Sequence, residues 1–221
     1  MSQKSERVSE ALYSYLAAHT DPEDAFLSAL RTAATDAGIP SIQISPEQAS
    51  FMQILLRLAK AEQVIEVGTL AGYAAINMAR ALGPGGRVRT IEIDPGHAEF
   101  AEHWIADSDV AGRVEVLLGD AREVLAGIAD QSADAFFIDA DKVGYPTYLQ
   151  HGLRILRPGG LMMVDNAFAF GHILDADNQD DSVLAIRRFN EEMAAVEVLQ
   201  SIIVPLGDGC WVGVTRGLVS G

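Results

Sequence analysis

Cysteine is nearly absent from the sequence, since Cys210 is the only one among 221 residues. A single thiol excludes a disulfide framework or a cysteine-based zinc site within one chain, so a reducing cytoplasm is the expected compartment. Basic residues are also scarce, with 16 Lys and Arg against 31 Asp and Glu and a formal net charge of −15. This imbalance argues against partners that present phosphates, both nucleic acids and anionic membrane surfaces.

Long apolar runs are missing as well. No stretch approaches the roughly 18 consecutive apolar residues of a membrane span, and residues 1–10 are too polar for a secretory signal. A hydrophobic content of 49% and a charged content of 21% are ordinary for a globular chain. The length is typical of one large domain, so residues 1–221 are predicted to form a single domain.

Strands and helices alternate regularly in residues 61–221, whereas residues 1–60 are predicted to be a helical extension. The second helix of this extension is predicted to begin at Thr20 or Asp21. The alternation predicts right-handed crossovers and a doubly wound, mostly parallel α/β sheet with an antiparallel hairpin at its edge. The seven predicted strands span residues 63–67, 87–93, 113–118, 133–138, 160–164, 197–204 and 209–215.

Acidic side chains follow strand after strand. Ligands of parallel sheets bind outside the carboxyl ends of the strands. Acids that serve only solubility would be scattered over helix surfaces, so we interpret these positions as a binding site. The residues at the predicted strand ends are Glu66, Gly68, Glu92, Asp94, Asp120, Asp139, Asp141, Asp165 and Asn166.

The turn after the first strand lacks the second glycine of a dinucleotide-binding loop, because Leu70 stands there. Glu66 would repel a pyrophosphate and attract a cation. Glu92, at the end of the second strand, can accept hydrogen bonds from both hydroxyls of a ribose. A nucleoside that carries positive charge and no phosphate fits these features, and S-adenosylmethionine is such a molecule. The alternative is that Gly68 serves only tight packing of strand against helix.

Three oxygen-bearing side chains follow the fourth and fifth strands, namely Asp139, Asp165 and Asn166. Neighbouring strand ends lie about 5 Å apart, so these side chains can converge on one point. Carboxylate and amide oxygens suit Mg²⁺, and three protein ligands leave positions open for a substrate. Lys142 is a candidate base beside them. The alternatives are ordinary cap or turn residues, and a lysine in a surface salt bridge.

Four segments, residues 65–73, 91–94, 138–142 and 164–166, resemble the cation-dependent O-methyltransferases. This family includes the catechol and caffeoyl-CoA O-methyltransferases and their bacterial relatives. The resemblance runs from about residue 13 to residue 215. It implies a Rossmann-like class I methyltransferase fold, S-adenosylmethionine, a divalent cation such as Mg²⁺, Mn²⁺ or Ca²⁺, a small aromatic hydroxyl substrate and a homodimer.

The resemblance also implies a role for individual residues. Lys142 would be the base, with Asp139 beside it, and the metal ligands would be Asp139, Asp165 and Asn166. Two departures from the family pattern are Ala74 in place of Ser and Ala49 in place of Gly. The residues implied to bind the cofactor are Ile44, Glu66, Gly68, Thr69, Tyr73, Ala74, Glu92, Asp120, Ala121, Asp139 and Asp141.

These features favour cation-dependent transfer of a methyl group from S-adenosylmethionine to one hydroxyl of a vicinal aromatic diol. Phe168, Phe170 and Trp211 are candidates for aromatic walls around the acceptor, and core packing is their alternative role. His172 is interpreted as an ordinary loop residue. Three other functions stay open: a nucleotide-dependent oxidoreductase, a metal-independent methyltransferase for another acceptor, and a binding module without catalysis.

Overall fold

The computed structural model describes residues 9–216. Residues 1–8, which carry most of the polar segment predicted not to be a signal, lie outside the described range. The fold has eight α-helices within that range, plus a 3-10 turn at Lys142–Gly144. The helices are α1 Glu10–Ala17, α2 Ala25–Asp36, α3 Pro46–Ala59, α4 Tyr73–Ala81, α5 Pro95–Ala106, α6 Ala121–Ala126, α7 Tyr145–Ile155 and α8 Asp181–Ala194.

One seven-stranded sheet, in the order β3-β2-β1-β4-β5-β7-β6, passes through the described part of the molecule. All strands except β7 run in one direction. The predicted doubly wound, Rossmann-like architecture is therefore confirmed. The strands are β1 Gln63–Val67, β2 Arg87–Glu92, β3 Val114–Leu118, β4 Ala133–Ile138, β5 Leu156–Val164, β6 Leu199–Val204 and β7 Cys210–Thr215.

The predicted antiparallel hairpin at the edge of the sheet is confirmed, since β7 pairs with β5 on one side and with the outermost strand β6 on the other. One detail of the prediction was wrong. The second helix begins at Ala25, not near Thr20, because the Asp24 side chain caps it by accepting a hydrogen bond from the Leu27 amide. Predicted and observed elements elsewhere differ by a few residues at their ends.

The sheet buries apolar side chains on both faces. Helices α3 and α4 pack on one face, around residues such as Met52 and Ile76, and helices α7 and α8 pack on the other, around Tyr148 and Phe189. The central strands end in register, since Val67 pairs with Ile138 and Ile138 with Val164. The residues that follow these strands therefore meet at one edge of the sheet. No helix of residues 9–216 is both long and apolar enough to cross a membrane.

Candidate active site

A cavity of about 380 Å³ lies at the carboxyl ends of the strands, next to the point where the chain reverses its order between β1 and β4. Every residue implied to bind the cofactor lines this cavity except Glu66. We call the part at the ends of β1, β2 and β3, with Asp141 and Tyr148 beside it, the cofactor half. The cation half comprises Asp139, Lys142 and Asn166, which line the cavity, and Asp165, which lies behind its wall.

Gly68 joins the two halves. Its φ of +101° is one that L side chains rarely adopt, and a Cβ at this position would lie 1.9 Å from the backbone oxygen of Asp139. The β1 turn can therefore approach the end of β4 only with glycine here. This close approach is a local reason for the glycine that the sequence places after the first strand.

The carboxylate of Glu92 lines the cofactor half and is held by backbone amides alone. Its Oε2 accepts a hydrogen bond from Leu70 at 2.8 Å, and its Oε1 accepts from Ile93 at 3.0 Å and Asp94 at 2.9 Å. The imidazole Nδ1 of His97 lies 3.9 Å from Oε1. This orientation leaves lone pairs of a fixed carboxylate facing the cavity, where they could accept hydrogen bonds from ribose hydroxyls.

Glu66 lies below the cavity and not in its wall, because successive side chains of β1 point to opposite faces of the sheet. The side chain is fully buried, and neither carboxylate oxygen has a hydrogen-bond partner among residues 9–216. The pKa of Glu66 is raised to about 8, mainly by burial and to a smaller extent by the carboxylates of Asp139 and Glu92, while the nearby Thr90 hydroxyl opposes this rise. Direct contact of Glu66 with the cofactor stays a prediction that this position does not favour.

Helix and turn caps supply the remaining acids of the cofactor half. The Asp120 side chain caps α6 by accepting from the Arg122 amide, and Ala121 follows it in the cavity wall. Both oxygens of Asp141 are engaged, one by the Gly144 amide at 2.9 Å and one by the Tyr148 hydroxyl at 2.5 Å. These acids are therefore held in place before any ligand binds.

The cation half brings side-chain oxygens together around the amino group of Lys142. Its Nζ donates to Asn166 Oδ1 at 2.5 Å, to Asp139 Oδ1 at 3.2 Å and to Tyr145 Oη at 2.6 Å. The Lys142 side chain is only 11% exposed. One positive group thus lies where oxygens of two predicted metal ligands converge.

Asp165, the third predicted ligand, is buried beside this cluster. Its Oδ1 accepts a hydrogen bond from Gln48 Nε2 at 2.6 Å. Burial and the carboxylate of Asp139 raise the pKa of Asp165 to about 7. Burial also raises the pKa of Asp139, against the opposing effect of Lys142. A carboxylate whose ionised form is disfavoured by burial and by a neighbouring carboxylate is expected where a divalent cation would compensate the charge.

The donor set fits a hard divalent ion, because it consists of two carboxylates and one amide oxygen. Within residues 9–216, no group of three or more His, Cys, Asp or Glu side chains could hold a metal ion. The predicted set contains only two such residues, so its third ligand has to be the Asn166 amide. Its role as a metal site stays a prediction.

The aromatic candidates differ in position. Phe170 lines the cavity and its ring centroid lies 5.9 Å from Lys142 Nζ. Phe168 packs instead against the backbone of Gly209. Trp211 belongs to the buried core and donates to Asn190 Oδ1 at 2.7 Å, so the prediction that it could form a wall of the cavity was wrong. His172 is an exposed loop residue, as interpreted from the sequence.

Several polar residues of the site, among them Tyr145 beside Lys142, were not foreseen from the sequence. His97 and Tyr148 line the cofactor half, while Gln48 and Asp208 contact the cation half. His97 could have been found, because it falls in the first turn of the helix after the second strand. Gln48 and Asp208 lie on distant elements, and no spacing in the sequence connects them to the ligands.

Comparisons with known proteins bear on this geometry. A sequence profile described as O-methyltransferase matches residues 17–215. The chain is 39% identical over 187 residues to the catechol O-methyltransferase of Niastella koreensis, covering 83% of this chain and 84% of that protein. It is also similar to two solved structures. The O-methyltransferase from Bacillus cereus in complex with SAH has a TM-score of 0.85 and 33% identity, covering 93% of this chain and 97% of the other. TomG from Streptomyces achromogenes, an O-methyltransferase involved in tomaymycin synthesis and solved in complex with SAM, has a TM-score of 0.82 and 33% identity, covering 94% and 96%.

Proposed function

We propose that the chain, which belongs to the O-methyltransferase family and is an S-adenosylmethionine-dependent O-methyltransferase, methylates a catechol-like acceptor. In this proposal the reaction depends on a bound divalent cation. The observation that carries the proposal is the convergence of Asp139 and Asn166 oxygens on Lys142 Nζ at the cavity. A cation-binding oxygen cluster beside a cofactor cavity suits an acceptor with two adjacent hydroxyls. The name of the Niastella koreensis relative, catechol O-methyltransferase, supports the same acceptor class.

In the proposed reaction, the acceptor oxygen forms a bond to the methyl carbon as the bond from that carbon to sulfur breaks. The sulfonium becomes a neutral sulfide. The Lys142 ammonium first loses one proton to solvent, and the neutral amine then accepts the proton of the hydroxyl at Nζ. A divalent cation bound by Asp139, Asp165 and Asn166 would supply the positive charge that makes the acceptor hydroxyl more acidic.

The protein contributes orientation to this step. Asp139 and Tyr145 fix the Lys142 amino group from two sides, at 3.2 and 2.6 Å. The low exposure of the lysine side chain limits the water around the reacting oxygen. Glu92 would anchor the ribose at the far end of the cavity, so that the methyl group points toward the cation half.

The test is methyl transfer from S-adenosylmethionine to caffeic acid, with the methylated product identified by mass. The wild-type chain is assayed with Mg²⁺, after chelation with EDTA, and after Mg²⁺ is added back. We expect turnover with Mg²⁺, loss on chelation and recovery on addition. Equal turnover in EDTA would instead indicate a metal-independent methyltransferase, in which the acidic cluster serves the structure alone.

We further propose a homodimer in which a second copy covers the apolar surface of the N-terminal helices. Leu12 and Tyr15 on α1 and Ile54 and Leu58 on α3 are each at least 46% exposed. Helix α1 has no fully buried residue of its own, so its apolar side chains gain burial only from another surface. Light scattering after gel filtration should give twice the mass of the chain. Leu58→Glu should lower that mass to one chain, whereas Leu174→Glu, in the exposed loop before α8, should not.

A further inference from the structure

Two of the proposed cation ligands are held by side chains that the proposed function leaves unexplained. Gln48 contacts Asp165 and Asp208 contacts Asn166. Gln48 lies in the first turn of α3, and Asp208 lies in the loop between β6 and β7. We call Gln48 and Asp208 the outer pair.

Gln48 is buried, with 2% of its surface exposed, and its amide bridges two segments. Nε2 donates to Asp165 Oδ1 at 2.6 Å. On the other side, a Cβ at Gly207 would lie 2.5 Å from Gln48 Oε1, so the hairpin loop packs directly against the amide. The Gln48 side chain therefore has little freedom to turn. It engages one oxygen of Asp165 and leaves the other oxygen available to a ligand.

Asp208 acts on Asn166 in the same way. Its Oδ2 accepts from Asn166 Nδ2 at 3.3 Å and from the Phe170 amide at 2.7 Å. With its amino group turned toward Asp208, the Asn166 amide directs Oδ1 toward Lys142, the point where the ligands converge. The loop that carries Asp208 is itself tied to α1, because the Tyr13 hydroxyl contacts the backbone oxygens of Pro205 and Gly207.

We propose that the outer pair are positioning residues that set the coordinating oxygens of Asp165 and Asn166, an inference that rests on the proposed cation dependence. A side chain that binds a metal through one polar atom is oriented by hydrogen bonds to its other polar atom. Loss of such hydrogen bonds typically weakens metal binding about 10- to 100-fold. Gln48 is well suited to this role, because it donates a hydrogen bond without bringing a positive charge that would compete with the cation.

The first arm of the test measures Mn²⁺ binding to the full chain by calorimetry, without cofactor or acceptor. Gln48→Met keeps the volume of the side chain and removes the donor. Gln53→Met is the matched control, because Gln53 lies on the same helix and donates to Asn77 Oδ1, away from the cavity. We expect Kd for Mn²⁺ to rise about 10-fold or more in Gln48→Met and to change less than about 2-fold in Gln53→Met.

The second arm measures turnover as a function of Mg²⁺ in Asp208→Ala and Asp208→Asn. We expect the half-saturating Mg²⁺ concentration to rise about 10-fold in Asp208→Ala, with excess Mg²⁺ restoring turnover. Asp208→Asn keeps an acceptor oxygen and should recover much of the affinity. A merely structural role would lower turnover at all Mg²⁺ concentrations alike.

The outcomes separate this inference from the proposed function. A wild-type Kd for Mn²⁺ in Gln48→Met, together with a wild-type half-saturating Mg²⁺ concentration in Asp208→Ala, would overturn the positioning role while leaving the cation dependence intact. A wild-type chain that binds S-adenosylmethionine but no Mn²⁺ would overturn the cation dependence itself, and the positioning role with it. If Gln48→Met does not fold, as judged by its thermal unfolding, the comparison of the two Asp208 variants decides.

Discussion

Glu92 in the cofactor half is held by different means from Asp165 and Asn166 in the cation half. Glu92 in the cofactor half is held by backbone amides that lie at most 22 residues away in the chain. In the cation half, Asp165 and Asn166 take side-chain partners that are 117 and 42 residues away. A local arrangement forms wherever the strand, turn and helix form. The distant arrangement requires α3, β5 and the C-terminal hairpin to be packed together first. The cation half should therefore be more sensitive to substitutions than the cofactor half.

Gly68→Ala should have the largest effect, because this glycine joins the halves. The new methyl group would collide with the Asp139 backbone oxygen and favour a different φ. We expect the free energy of unfolding in urea to fall by about 5 kcal/mol. Gly38→Ala is the control, since Gly38 also has a positive φ but has no atom within 4 Å of its Cβ position. It should lose about 1 kcal/mol, and equal losses in both variants would show that the contact with Asp139 is unimportant.

Glu66, which lies between the halves, should make stability depend on pH. Its pKa is about 8 in the folded chain, against about 4.5 for an ordinary glutamate carboxyl in water. From about pH 4.5 to pH 8 the folded chain therefore retains a proton that the unfolded chain has lost, and stability decreases as pH rises through this window. The decrease amounts to as much as about 5 kcal/mol. Urea unfolding in EDTA should show this slope in the wild type and in Glu62→Gln, whose side chain is exposed. The slope should be shallower in Glu66→Gln, where only the raised pKa values of Asp165 and Asp139 still contribute.

Glu92→Gln should weaken binding in the cofactor half and leave binding in the cation half unchanged. A glutamine offers one acceptor oxygen where Glu92 receives three backbone amides, so the side chain can no longer be held and face the ribose at once. We expect S-adenosylmethionine binding, measured by calorimetry, to weaken about 10- to 100-fold. Mn²⁺ affinity should stay as in the wild type, and Glu99→Gln on the exposed face of α5 should change neither. A parallel loss of Mn²⁺ affinity would mean that the two halves are not independent.

The same difference explains what could be predicted from the sequence. Strand ends and the caps that follow them are local features, so Glu92, Asp120 and Asp139 could be assigned to the cavity edge before the structure. The position of Glu66 was harder to predict from the sequence. Glu66 lies at a strand end, which suggested that its side chain lines the cavity. Because side chains alternate along β1, the Glu66 side chain is instead buried outside the cavity wall.

Long-range contacts could not be predicted from spacing. The partnership of Gln48 with Asp165 depends on how α3 packs over the sheet, and that of Asp208 with Asn166 depends on β7 pairing next to β5. The burial of Trp211 also depends on packing, because β7 lies between β5 and β6 and places that ring in the core.

The central claim is that the ends of β4 and β5 bind a cation on which turnover depends. The most direct test is the rate of methyl transfer to caffeic acid across a Mg²⁺ titration, for the wild type beside Asp165→Ala. The account predicts a wild-type rate that rises to saturation with Mg²⁺ and a variant rate at least about 100-fold lower, with S-adenosylmethionine still bound. Wild-type turnover that is independent of Mg²⁺ and matched by Asp165→Ala would contradict it.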